Sequence, residues 1–131
     1  AIEKVAIRNM GNIEYKIPGG NDTIDRVFCL SIEEINDCIQ DKIAIPTEHA
    51  KEKVAEDNMK YFVNESSGGG RWWLQSTGCN AHSGMYVDGL GNVNIRGNLV
   101  NNGMVGIRPA LWLNVIKIKK ACNRKFSLTW K

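Results

Sequence analysis

The sequence predicts a single α+β domain in which two helices pack on a twisted, mostly antiparallel sheet with long loops. Three observations support this prediction. The chain has 131 residues and a hydrophobic content of 43%, which is sufficient for one core. Two segments in the first half begin with residues that cap helices. Residues 71–113 instead alternate large aromatic residues with Gly and Asn, a pattern typical of strands joined by turns.

The first thirty residues are weakly patterned. Ile2, Val5 and Ile7 suit a short strand, and Pro18–Asp22 is rich in turn-forming residues and predicts a loop. Val27–Leu30 is a short apolar run between polar residues, which predicts a buried strand.

Two helices are predicted next. The Ser31 hydroxyl can accept a hydrogen bond from the first turn while Glu34 reaches back, which forms a capping box. Isoleucines three and four residues apart then give this helix an apolar face, and we expect it to end near Asp41. A second helix is expected from Thr47, whose side chain would cap it, to about Val54.

The second half of the chain has the two-residue period of β-strands. Trp72 and Trp73 therefore point to opposite faces of an extended segment, so at least one of them belongs to the core. Asp88–Asn92 is predicted to be the turn of a hairpin, and residues 101–103 a second turn. Residues 110–118 are apolar with some alternation and predict a final long strand.

Several motifs occur in order, namely Ser31–Glu34, Thr47–Lys51, Trp72–Gly78 and Gly106–Trp112. Together they resemble a bacterial domain family of unknown function, common in gut Firmicutes, that carries WWLRSPG followed by GVRPALW. The resemblance covers residues 27–113.

The chain departs from that family pattern in two places, because Gln75 stands where the family has Arg and Thr77 where it has Pro. The closing motif is also similar to the sulfatase-modifying-factor branch of the C-type-lectin fold, which implies a C-type-lectin-like core. Residues 1–25 resemble only the end of the N-terminal segment that the family carries. We therefore expect one domain over residues 1–131, forming the C-terminal part of a larger protein, with residues 114–131 as a basic extension.

Charge and hydropathy narrow the classes of partner. The net charge is +3, and basic residues crowd the last part of the chain. A solvated extension is favoured there over nucleic-acid binding, because the sequence has no recognition-helix, zinc-finger or RNA-binding motif. No apolar run approaches the roughly 20 residues that span a bilayer, so we expect no membrane span.

The four cysteines are not spaced as metal or redox motifs. The chain has no CxxC pair, so a structural zinc site or a thioredoxin-like motif is not expected. Cys29 lies in an apolar run and Cys38 on a predicted helix face, and both are expected to be buried. The formylglycine-generating enzymes of the sulfatase-modifying-factor branch use a close cysteine pair, which this sequence lacks at the matching position.

Polar, Asn-rich loops on a β scaffold are the candidate recognition surface. We predict a non-catalytic module that binds a glycan or protein ligand, needs no cofactor and acts outside the cell or at its surface, with a homo-oligomer left open. An exposed aromatic ring would stack on a sugar or on a peptide side chain. The candidate ligand-binding residues are Trp73, Gln75, Asn80, His82, Tyr86 and Asn101.

Two alternative functions remain open. One is an enzyme with a pocket near Trp73, Cys79 and His82, in which the thiol and the imidazole would act as nucleophile and base. The other is a purely structural module. A deep pocket with converging titratable groups would favour the enzyme, and a shallow groove lined by aromatic residues would favour recognition.

Two further groups have a functional and a structural interpretation. Asp88, Asn92 and Asn94 offer oxygen ligands for calcium. A single carboxylate among amides would be a weak site, because calcium needs several oxygen ligands. Arg108, just before Pro109, is expected to be buried, where its donors would satisfy loop carbonyls or pair with a carboxylate.

Overall fold

The computed structural model describes residues 2–113 and confirms the predicted α+β class with antiparallel strand pairing. The order of the elements is β1 (Val5–Ile7), β2 (Thr23–Asp25), α1 (Ile32–Cys38), α2 (Glu48–Glu52), a 3₁₀ turn (Glu56–Asn58), α3 (Met59–Phe62), β3 (Trp72–Thr77), β4 (Ser83–Val87) and β5 (Val93–Leu99). β1 and β2 form a two-stranded sheet, and β3, β4 and β5 form a three-stranded sheet with β4 in the centre.

Both predicted helix starts are confirmed. The Ser31 hydroxyl accepts from the Glu34 amide at 3.2 Å, and the Glu34 carboxylate accepts from the Ser31 amide at 2.8 Å. Thr47 caps α2 in the same way, with 3.2 Å to the Ala50 amide. The short helix α3 was not predicted. Among residues 2–113, no helix has the length and apolar character needed to cross a membrane.

Helix α1 ends at Cys38, earlier than predicted, because Ile39 is already extended. Ile35 on its inner face is fully buried. The prediction that Cys38 is buried was wrong, because the helix stops there and leaves this side chain exposed at its last turn. Cys29 is partly buried, as its apolar surroundings suggested.

The predicted strand Val27–Leu30 is reduced to a single bridge. Phe28 and Ala110 exchange two backbone hydrogen bonds of 3.0 and 2.8 Å. The pairing does not continue to Leu30, because the Leu30 carbonyl accepts from the Gln75 amide of β3 instead. The predicted strand over residues 110–118 is likewise reduced to isolated bridges, at Ala110 and Leu113. The rest of this predicted strand lies outside the described residues.

The predicted hairpin is confirmed as β4 and β5, and Asp88 closes its turn. The Asp88 amide donates to the Asn92 carbonyl at 2.9 Å, and its carboxylate accepts from the Leu90 and Asn92 amides, also at 2.9 Å. The second predicted turn follows β5, where the Asn102 amide donates to the Leu99 carbonyl at 3.0 Å.

A bulge interrupts the pairing between β3 and β4. Trp73 pairs with Tyr86 and Thr77 pairs with Gly84. Three residues of β3 therefore stand opposite the single residue Met85 of β4. Such a bulge leaves backbone groups without partners in the ladder and bends the strand.

A second bulge faces the same residue of β4 from the other side. Tyr86 pairs with Asn94 and Gly84 pairs with Asn98, so β5 also has three residues where β4 has one. Gly97 lies in this bulge with a φ of 79°. A Cβ atom at Gly97 would stand 2.2 Å from the Gly84 carbonyl oxygen, so this close approach of two backbones requires glycine.

Backbone groups within the two bulged segments bond to the N-terminal part of the chain. The Gln75 amide of β3 donates to the Leu30 carbonyl at 2.9 Å. The Asn12 side-chain amide donates to the Ile95 carbonyl of β5 at 2.9 Å, and Asn12 is buried. These hydrogen bonds attach the first thirty residues to the outer edges of the three-stranded sheet.

The core lies between the inner face of this sheet, α1 and the N-terminal segment. Trp72 is 2% exposed, and its indole N–H donates to the Lys42 carbonyl at 3.0 Å. Trp73 is partly exposed, so the prediction that the two rings lie on opposite faces is confirmed. The buried core residues are Ile7, Phe28, Leu30, Ile35, Trp72, Leu74, Met85, Val87 and Ala110.

We expect the substitution Gly97→Ala to destabilise the protein by about 2–3 kcal/mol, because it adds strain at a positive φ and a contact with the Gly84 carbonyl. Gly103→Ala is the matched control, since nothing lies within 4 Å of a Cβ atom there. Urea unfolding of both variants measures the difference. Equal losses of stability would show that the bulge does not need glycine.

We expect Asn12→Ala to lower the free energy of unfolding by about 1–3 kcal/mol, because the partly buried Ile95 carbonyl loses its donor. Asn36→Ala, at an exposed position of α1, should leave the free energy of unfolding unchanged or slightly increased. Calorimetric melting of the two variants tests this, and similar melting temperatures would contradict a role for Asn12 at the bulge.

Candidate functional site

The outer face of the three-stranded sheet carries a pair of aromatic rings. Trp73 on β3 and Tyr86 on β4 are paired residues, with ring centroids 6.3 Å apart and planes at 83°, an edge-to-face contact. Tyr86 is only 8% exposed, whereas Trp73 is partly exposed. Of the two rings suggested by the sequence, Trp73 is therefore the one with surface available to a ligand, and Tyr86 supports it.

Neighbouring residues hold this pair in place. The Arg71 guanidinium lies 5.5 Å from the centroid of the Tyr86 ring, a cation–π distance. The Asn94 side-chain amide donates to the Tyr86 hydroxyl at 3.1 Å, while its oxygen accepts from the Gly97 amide at 2.9 Å. We call Arg71, Trp73, Tyr86 and Asn94 the outer aromatic face.

Gly84 brings the next loop close to the Trp73 ring. A Cβ atom on Gly84 would stand 3.5 Å from Cε3 of Trp73 and 3.8 Å from Cγ1 of Val100. Trp73 and Val100 therefore both lie beside this glycine of β4. Val100 is 65% exposed, which extends the apolar surface beyond the sheet.

Two of the predicted recognition loops meet at this end of the sheet. The Val100 amide donates to the His82 carbonyl at 2.9 Å, which links the segment after β5 to the turn between β3 and β4. Within that turn, the Asn80 side chain accepts from the His82 amide at 2.8 Å. Asn80, His82 and Asn101 are all exposed, so the structure places these three candidates in neighbouring loops.

Gln75 has a different environment from the other candidates. Its side-chain amide donates to the Arg8 carbonyl at 3.3 Å, and its backbone amide bonds to Leu30. This side chain therefore already contributes to the attachment of the N-terminal segment.

A basic cleft lies beside the outer aromatic face, between α3 and the turn of the β4–β5 hairpin. Its volume is ≈ 140 Å³. Arg71 belongs to both surfaces, since it lines the cleft and lies over the Tyr86 ring. The residues that define the basic cleft are Lys60, Tyr61, Phe62, Val63, Asn64, Arg71, Asp88, Gly89 and Leu90.

The basic cleft was not predicted from the sequence. The two-residue period that separates Trp72 from Trp73 also places Arg71 on the same side as Trp73, so this part of the signal was present. Lys60 and Tyr61 lie on the unpredicted helix α3, and their approach to the hairpin turn depends on tertiary packing.

The alternative enzyme hypothesis pairs the Cys79 thiol with the His82 imidazole, and the structure gives the thiol other hydrogen-bond partners. Cys79 Sγ lies 3.8 Å from the Asn80 side-chain amide and 3.9 Å from the Ser83 hydroxyl, both of which donate to it. In the part of the chain between residues 2 and 113, no hydrogen bond connects Cys79 to His82, whose side chain is exposed.

The oxygens considered for calcium are used within the hairpin. The Asp88 carboxylate accepts from the amides of its own turn, and Asn94 is engaged by Tyr86 and Gly97. Among the described residues, no three His, Cys, Asp or Glu side chains lie together as ligands for a metal ion.

Arg108 is buried, and its contact with a loop carbonyl is confirmed. Its guanidinium lies 4.9 Å from the centroid of the Trp72 ring, and Nη1 donates to the Asp41 carbonyl at 3.4 Å. Burial lowers the pKa of Arg108, and the Asp41 carboxylate acts in the opposite direction. Arg108 thus packs the closing motif against the core and fixes the loop after α1.

Most of the chain matches a known domain family. A family model described as Domain of unknown function (DUF6273) matches residues 1–115. The match includes the N-terminal residues that precede the range 27–113 covered by the motifs. No curated protein and no solved structure matches the chain.

The cysteine environments lead to a testable difference in reactivity. Burial raises the pKa of the Cys29 thiol above its ordinary value, which lowers the thiolate fraction, whereas Cys38 is exposed. We expect iodoacetamide to modify Cys38 at least roughly tenfold faster than Cys29 at pH 8 in the native protein. Peptide mass spectrometry over time measures both rates, and unfolding in urea should abolish the difference. Equal native rates would contradict the burial of Cys29.

Proposed function

The chain belongs to the DUF6273 family of domains of unknown function, and we propose that it is a non-catalytic recognition module that binds a glycan. The observation that carries this proposal is the partly exposed Trp73 ring on the outer face of a sheet, beside exposed polar side chains from two linked loops. Sugars present apolar C–H faces and hydroxyl groups together, and this surface offers a partner for each.

The apolar part of the interaction depends on a ring held by the sheet. Trp73 is fixed by its edge-to-face contact with Tyr86 and by its position beside Gly84. A ring that is already ordered loses little conformational freedom when a ligand binds, which leaves more of the stacking energy for affinity.

The polar part of the interaction would come from the loops. Asn80, His82 and Asn101 are exposed and carry both donors and acceptors. The hydrogen bond from Val100 to the His82 carbonyl keeps the two loops adjacent, so they present one continuous surface. This favours recognition of hydroxyl groups over catalysis, which would need a nucleophile with an adjacent base.

The same surface supports a finer proposal about ancestry. The Gly106–Trp112 motif and the antiparallel sheet with loops gathered at one end support a bacterial, C-type-lectin-like domain of the sulfatase-modifying-factor branch. In such a domain, loops at one end of the sheet would receive the ligand, and the module would act outside the cell or at its surface.

We expect Trp73→Ala to lower glycan affinity by about tenfold, because stacking on the ring is lost. The measurement is binding of the purified protein to an array of neutral and acidic oligosaccharides, followed by calorimetric titration of the strongest ligand. Trp112→Ala, at a 52% exposed ring outside this surface, is the control and should bind normally.

Near-ultraviolet circular dichroism and melting temperature show whether Trp73→Ala is folded, and Trp73→Phe should restore part of the affinity. If wild-type protein binds no glycan, or if Trp73→Ala binds as tightly as Trp112→Ala, the proposal is wrong. Binding to a protein partner alone would also contradict it.

A further inference from the structure

We propose that the basic cleft binds the carboxylate of an acidic sugar, so that the ligand is a glycan containing uronic acid. This inference rests on the proposed function, because it names the chemical class of ligand for the same surface. It depends on three properties of the cleft, namely the ion pairing of its cations, its net charge and its position relative to Trp73.

Among residues 2–113, the two cations of the cleft form no ion pair with an acidic side chain. Lys60 Nζ lies 5.0 Å from the Tyr61 ring centroid, and the Arg71 guanidinium lies over Tyr86. Within residues 2–113, the ion pair observed is between Lys51 and Glu48, and neither Lys60 nor Arg71 takes part in one. A cation over an aromatic ring keeps N–H groups that can donate to an anion.

The net charge of the cleft suits a singly charged group. Lys60 and Arg71 contribute two positive charges and Asp88 one negative charge, which leaves +1. The Asp88 carboxylate already accepts two backbone N–H bonds in the hairpin turn, so it remains bound there. A carboxylate balances this charge, whereas a doubly charged phosphate would exceed it and meet stronger repulsion from Asp88.

The size of the cleft limits what can enter it. Its ≈ 140 Å³ is well below the roughly 300–1,000 Å³ of a pocket that encloses a whole small molecule. A carboxylate group fits this space, while the sugar ring that carries it would stay on the surface.

The position of Arg71 connects the cleft to the stacking surface. Arg71 and Trp73 are two residues apart along an extended segment, so their Cα atoms are separated by roughly 7 Å. A sugar ring stacked on Trp73 therefore places its own carboxylate, or that of the adjoining sugar, within reach of the Arg71 guanidinium. Stacking and ion pairing can be satisfied together by one acidic oligosaccharide.

The test is calorimetric titration with a galacturonate tetrasaccharide and with its carboxyl-reduced, neutral counterpart. We expect wild-type protein to bind the acidic form about tenfold more tightly, with the difference shrinking as salt is raised. Lys60→Gln should remove most of this preference without changing affinity for the neutral form. Arg71→Gln should also remove most of the preference, with some loss of affinity for the neutral form because the guanidinium supports the Tyr86 ring. Lys53→Gln, an exposed lysine outside the cleft, is the matched control.

Lys60 is exposed, so Lys60→Gln should fold normally, and Arg71→Lys retains the charge if Arg71→Gln is unstable. If both tetrasaccharides bind equally and binding needs Trp73, the carboxylate site is refuted while the proposed function stands. If neither binds, the uronate assignment is refuted, and the oligosaccharide array decides the proposed function separately. Binding of a glutamate-rich peptide in place of the galacturonate would refute the assignment to a glycan.

Discussion

The mismatch of three residues against one on both sides of Met85 is the constraint on which the rest of the structure depends. β3 and β5 are the outer strands of the three-stranded sheet, so alternate backbone groups of each point away from β4 and need other partners. Within the bulged segments, the Gln75 amide and the Ile95 carbonyl have these partners in the N-terminal part of the chain. An unpaired buried backbone group is costly, so these two positions determine where the preceding chain must lie. On the outer face of the sheet, the Trp73 ring of β3 lies next to Gly84 of β4, beside the recognition loops.

Features coded by neighbouring residues could be predicted, and features that need a second segment could not. The capping box at Ser31 and the turn at Asp88–Asn92 are complete within a few residues, so the sequence displays them directly. The bulge at Gly97 depends on the strand opposite, and a lone glycine in a strand does not reveal its partner. The strand predicted at Val27–Leu30 was wrong in extent, because its apolar run matched a buried strand while the Leu30 carbonyl bonds to Gln75 of β3.

The same distinction between local features and features that need a second segment applies to the residues of the candidate site. Trp73 and the exposed loop residues follow from the alternation of aromatic and turn residues, which indicates both a scaffold and its edges. The burial of Tyr86 could not be predicted, because a strand pattern assigns a side chain to one face of the sheet but does not show how much of that face neighbouring residues cover. The basic cleft needs Lys60 of α3 to meet Asp88 of the hairpin turn, which only the packed fold specifies.

The hydrogen bond between Asn12 and Ile95 spans 83 positions of the chain, and the Glu3 amide reaches the Trp112 carbonyl at 3.0 Å. Contacts of such large sequence separation require long loops to close before they contribute stability. The β4–β5 hairpin can form early from local contacts, but the Ile95 carbonyl gains its donor only when Asn12, near the beginning of the chain, reaches it. Folding should therefore be slow for a domain of this size, because its stabilising contacts join distant parts of the chain.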